Sequence, residues 1–119
     1  MNRMWILLTA ALVAGCGMPS GASLPSEAPS IEGTIRESSA IEAGRRILVE
    51  ATAQVAGREP AAYITVPRGA DVLAGSDEMV ARASADELVV GARVRVWFRG
   101  PVAESFPVQA TAGTVLILR

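Results

Sequence analysis

Few side chains in this sequence are equipped for chemistry. There is one cysteine, Cys16, no histidine and no lysine, so that all eleven basic residues are arginines. Without histidine there is no His-based triad, no imidazole base and no ordinary zinc site. Without lysine there is no Ser–Lys dyad and no Schiff base. Arginine stays protonated at neutral pH and cannot act as a base. What remains is carboxylates, hydroxyls and a single tyrosine, Tyr63. A redox or metal role for Cys16 would need a base or a second soft ligand, and the sequence supplies neither.

Two constellations stand out among the remaining groups. In "ARVRVWFRG" the residues Arg93, Arg95, Trp97 and Arg99 alternate with Val94, Val96 and Phe98. Guanidinium beside indole is the chemistry of sugar, phosphate or nucleobase contact, through stacking and bidentate hydrogen bonds. The other reading is a solvated strand face on which arginine stems cover Trp97. In "ESFPVQA" the polar groups of Glu104, Ser105 and Gln109 surround Phe106. They form either one lip of a ligand groove or a turn in which Phe106 plugs the end of the fold and the polar groups satisfy backbone amides. The carboxylates Asp71, Asp77, Glu78, Asp86 and Glu87 lack the spacing of a calcium loop. They read as a solvated loop and a helix start, and no spacing selects an acid–base pair of the glycosidase kind. No metal site and no cofactor are expected.

The elements that must position these groups show a period of two. Ile31, Gly33 and Ile35 share one face against Glu32, Thr34 and Arg36; Ile47, Val49, Ala51, Ala53 and Val55 share another against Glu50, Thr52 and Gln54. "AAYITVP" is a short β-branched run ended by Pro67, with Tyr63 as core or rim packing, "ARVRVWF" a fourth strand, and "ATAGTVLIL" a fifth with Val115 and Ile117 on one side. Ser84 and Glu87 have capping-box spacing and predict a helix of a turn or two between the third and fourth strands. The order β-β-β-α-β-β in about 90 residues is that of a five-stranded OB-like Greek-key barrel, an all-β fold with one short helix. An SH3-like barrel is the alternative.

The N-terminal part is organised differently. Arg3 precedes an apolar run, Met4 to Val13, followed by Ala14 and Gly15. That is the order of an export signal, too short for a membrane span of about 20 residues. "VAGC", positions 13–16, resembles the bacterial lipobox, which implies lipidation of Cys16 as the mature N-terminus. "GMPSGASLPSEAPS", Gly17 to Ser30, has the composition of a tether. The expected division is therefore a signal peptide at 1–15, a lipidated cysteine and tether at 16–30, and a barrel domain at 31–119. Loss of Arg3 with the leader leaves ten arginines against twelve acidic residues, which gives no global field for nucleic acid.

The stretch Ala85 to Leu118 also carries a resemblance. Asp86–Leu88 with Gly91, Val94 and Val96, then Glu104, Ser105, Phe106, Pro107, Gln109 and Ala110, then Val115–Leu118 resemble the closing part of the YobA-like family. Gly33–Ile35 and Arg46–Ala51 fit its opening strands. These are small bacterial lipoproteins or secreted proteins with a domain of unknown function, so the resemblance implies an OB-like barrel and no established activity. Phe106 stands where a tyrosine is more usual in that family.

These readings converge on an extracytoplasmic, lipid-anchored, non-catalytic module of the cell envelope. Its expected partners are the membrane, through the lipid, and an envelope protein, peptide or glycan. The candidate contacts are Arg93, Arg95, Trp97, Arg99, Glu104, Ser105, Phe106 and Gln109. A carboxylate-dependent hydrolase of envelope polymers is the alternative. Nucleic acid is not an expected partner.

Overall fold

The computed structural model describes residues 23–53 and 58–119. The leader, Cys16, Gln54 and Val55 lie outside the described residues. Among the described residues there are seven strands: β1 (Ile31–Ile41), β2 (Gly44–Ala51), β3 (Ala61–Pro67), β4 (Asp71–Gly75), β5 (Val80–Arg82), β6 (Arg93–Phe98) and β7 (Val108–Leu118). A 3-10 turn, Ala85–Glu87, precedes β6.

The strands form an all-β, OB-like barrel. The hydrogen-bonded order is β3-β2-β1-β6-β7-β4-β5, and a parallel pairing of β3 with β7 closes the ring β1-β2-β3-β7-β6. Two long strands make closure possible because each serves two neighbours. The first residues of β1 pair with β6, and its length from Gly33 onward pairs with β2. β7 pairs along its first part with β3, and along its last part with β4 on that same edge.

Gly33 sits where β1 changes partners, matched to Ala51 on one side and Val94 on the other. A Cβ there would lie 1.9 Å from the Glu50 carbonyl oxygen, so only glycine permits this approach. Just beyond it, Arg36 is the extra residue of a bulge between Ile35 and Glu37, which bends the strand around the barrel.

The core follows the alternation read from the sequence. Ile31, Ile35, Ile47, Val49, Ile64 and Val96 point inward and are fully buried, with Leu88 packed beneath them. Two differences come from a hairpin that the sequence pattern did not reveal. The segment read as an acidic loop contains β4 and β5, with Asp71 opening β4 and Asp77 and Glu78 in the turn. This hairpin extends the sheet beyond β7, and its Leu73 and Val80 pack with Leu24 against the outer side of Leu116. As a result β7 is buried on both faces, Leu116 as fully as Val115.

Four smaller corrections follow. β2 ends at Ala51, and Ala53 is exposed. The helix is one 3-10 turn, although its capping box is present: Ser84 accepts from the Asp86 N–H, and the Glu87 carboxylate accepts from the Ser84 N–H. Tyr63 points out of the barrel, on the half-buried positions of β3. Finally, the stretch read as tether becomes packed chain at Leu24, which rests against a small outer cluster of Leu73, Trp97 and Leu116.

Candidate functional site

The strand face that carries Arg93, Arg95 and Trp97 is not an open binding surface. Trp97 is only 7% exposed. Its indole N–H donates to the Glu27 carbonyl at 2.8 Å, and its ring packs with Leu73 and Leu116 under Leu24. Arg95 is held by Glu32, its cross-strand neighbour, with Nε 3.0 Å from Oε1, and by Asp77 of the β4–β5 turn. The Asp77 hydrogen bond raises the Arg95 pKa, assisted by Glu32 and opposed by partial burial. Arg93 reaches the other oxygen of Glu32 at 3.6 Å. Arg99 is exposed, with its stem over Gly113. The alternation correctly assigned Trp97 to the outer face, but that face is covered.

The "ESFPVQA" stretch joins β6 to β7. Phe106 does not plug the barrel; it is 82% exposed. Ser105 donates through Oγ to the Pro107 carbonyl at 2.8 Å, and Ala103 pairs with Gln109. Glu104 is exposed beside them.

A different surface emerges on the far wall. The outward positions of β1, β2, β3 and β7 align in rows: Glu37 is matched to Leu48, Leu48 to Tyr63 and Tyr63 to Gln109. In the next row Ser39 is matched to Arg46, and Arg46 to Thr65. Within this lattice the Arg46 guanidinium lies over the Tyr63 ring, 4.8 Å from its centroid. Such a contact contributes about 0.5–1 kcal/mol at an exposed site. Arg46 is exposed and takes part in none of the ion pairs among the described residues. An open depression of about 410 Å³ lies here, lined by Glu37, Ser39, Arg46, Ile47, Leu48 and Tyr63.

Of the candidates taken from the sequence, only Gln109 belongs to this wall. Arg46 and Tyr63 were missed because they are 17 residues apart and meet only through the β2–β3 register. The available signal was an arginine and an aromatic at outward positions of adjacent strands, which has meaning only once the pairing is known.

A second depression, about 210 Å³, is lined by Glu32, Ala51, Thr52, Ala53, Arg58 and Glu59. The Glu32 carboxylate is ion-paired with Arg95 through one oxygen and with Arg93, at longer range, through the other. Among the described residues no three His, Cys, Asp or Glu side chains gather as a metal site requires.

Residues 70–119 match the model of a family described as a protein of unknown function, DUF3221. No curated protein and no solved structure matches the chain. The matched stretch runs from the start of the β4–β5 hairpin to the end of β7, and it contains the "ESFPVQA" loop and the buried Trp97.

Proposed function

We propose that this protein is a lipid-anchored, extracytoplasmic binding module that captures an envelope protein, peptide or glycan without chemically altering it. The anchor rests on the "VAGC" sequence after the apolar run and on the resemblance to YobA-like lipoproteins. The observation that carries the binding role is the Arg46–Tyr63 pair, an exposed arginine over a half-buried aromatic ring on the outer wall of β2 and β3. Gln109, Thr65 and Ser39 surround the pair with hydrogen-bonding groups. The outer wall of these strands is the surface on which OB-type barrels hold extended ligands, and the likeness of fold supports the reading by analogy.

The hydrolase reading draws on Glu32 and Glu59 beside the smaller depression. It is the weaker one, because Glu32 is already ion-paired with two arginines, Arg95 and Arg93.

The test is binding of the full mature protein to cell-wall fragments and envelope extracts. Arg46→Ala and Tyr63→Ala should each weaken retention about tenfold, the equivalent of about 1.4 kcal/mol, whereas Arg93→Ala should leave it unchanged. Equal retention by all three variants, or retention of nothing by the parent, would defeat the proposal.

A further inference from the structure

The course of the chain before β1 fixes one side of the barrel to whatever holds Cys16. Leu24 packs on the Leu73–Trp97–Leu116 cluster. Glu27 accepts from the Trp97 indole at 2.8 Å, the Ser30 N–H donates to the Val96 carbonyl at 2.8 Å, and the Phe98 N–H donates to Ser30 Oγ at 2.9 Å. Residues 24–30 are therefore a strap, held at several points across the outer surface of β6 and β7. Only seven residues separate Cys16 from Leu24. Eight Cα steps reach at most about 28 Å fully extended, and a flexible chain of that length spans about 15 Å on average.

Three of the four exposed large apolar side chains among the described residues lie in two turns near the end of β7, one of them next to Val80, which packs with the strap's Leu24 on the outer cluster. Met79, 80% exposed, lies in the turn of the β4–β5 hairpin; Val89 and Val90, 53% and 62% exposed, follow the 3-10 turn. Arg119 links the two places, since its N–H donates to the Gly75 carbonyl at 3.0 Å and its guanidinium pairs with Glu87. Of the charges around them, Arg95 pairs with Asp77 and Arg82 with Asp71, which leaves Glu78 beside Met79 as a carboxylate outside the ion pairs of the described residues. This surface therefore presents anionic headgroups with a single bare carboxylate and not a run of them. In the ring β1-β2-β3-β7-β6, β2 lies across the barrel from β6 and β7.

We propose that the side formed by the β4–β5 hairpin and the 89–90 turn rests on the bilayer, with Met79, Val89 and Val90 at the headgroup level. The strap thereby turns the outer wall of β2, which carries Arg46, away from the membrane, toward its ligand. This inference rests on the lipid-anchor reading. Apolar side chains in the interface add to the hold of an acyl chain, and the strap limits rotation that a longer leash would permit.

The experiment uses lipidated full-length protein in vesicles of phosphatidylethanolamine with a minority of phosphatidylglycerol. A fluorophore is attached through Met79→Cys, Val90→Cys or Glu50→Cys, the last on the outward side of β2. Quenchers carried on lipid headgroups should dim the labels at 79 and 90 severalfold more than the label at 50, and a water-borne quencher should show the reverse. Leu24→Asp should reduce this contrast while the protein still floats with the vesicles. A lipidated protein showing equal quenching at all three positions, or the opposite order, overturns the orientation and leaves the anchor intact. If instead Cys16 takes up label and the protein does not float, the anchor reading fails and the orientation fails with it.

Discussion

Individual side chains in this barrel divide into those that hold the structure and those left available. Trp97 belongs to the first group. Truncating a buried aromatic of this size costs about 3–5 kcal/mol, and Trp97→Ala should lower urea stability by about 3 kcal/mol. Arg93→Ala, at a half-exposed ion pair, should change stability by no more than about 0.5 kcal/mol. Glu87 gives a pH signature. The backbone N–H of Ser84 and the Arg119 guanidinium hold its carboxyl below the ordinary carboxylate range. A carboxylate depressed in the folded state stabilises above its unfolded pKa, and the contribution is lost as pH falls through the folded value. Glu87→Gln should therefore be less stable than the parent at neutral pH, and the difference should close below the ordinary value of 4.5, as followed by thermal melts across the acid range. The outward assignment of Trp97 was legible from alternation. Its burial was not, because period two says which face a side chain takes and nothing of what covers that face.

At the scale of elements, the β4–β5 hairpin widens the sheet beyond β7 and the strap packs with it over the outer face of Trp97 and Leu116. The hairpin was obscured because β4 and β5 have only five and three residues and a polar turn separates them. Gly75 is its hinge, with φ of +145° and no room for a Cβ, which would lie 2.0 Å from the Met79 carbonyl oxygen. Gly75→Ala should cost more than about 1 kcal/mol and raise amide exchange through 71–82 while β1, β2 and β3 stay protected. Leu24 tests the strap separately. Trp97 is the only tryptophan beyond the expected leader, so in the processed protein its fluorescence reports this packing alone. Leu24→Ala should shift that emission to the red at a stability cost of about 1 kcal/mol. The capping box at Ser84 and Glu87 was readable, since it depends on contacts three residues apart. The length of the turn it starts was not, because β6 and the underlying core decide where the chain must turn away.

For the whole molecule, anchor and barrel should be separable. Cys16→Ser should release or mislocalise the protein in cell fractionation while its unfolding midpoint stays that of the parent. Retention on the membrane of that variant, uncleaved like the parent, would contradict lipidation. The sequence by itself determined the strand alternation, the inward set of Ile and Val residues, the order of the five barrel strands and the poverty of catalytic side chains. These follow from local periodicity and composition, which need no knowledge of which strand lies beside which. Tertiary structure alone decided that β3 pairs with β7 and that a hairpin and strap bury Trp97. It also decided that Arg46 meets Tyr63 on the opposite wall. Each of these depends on register between segments distant in the chain, and a shift of one residue would turn the same side chains to the other face.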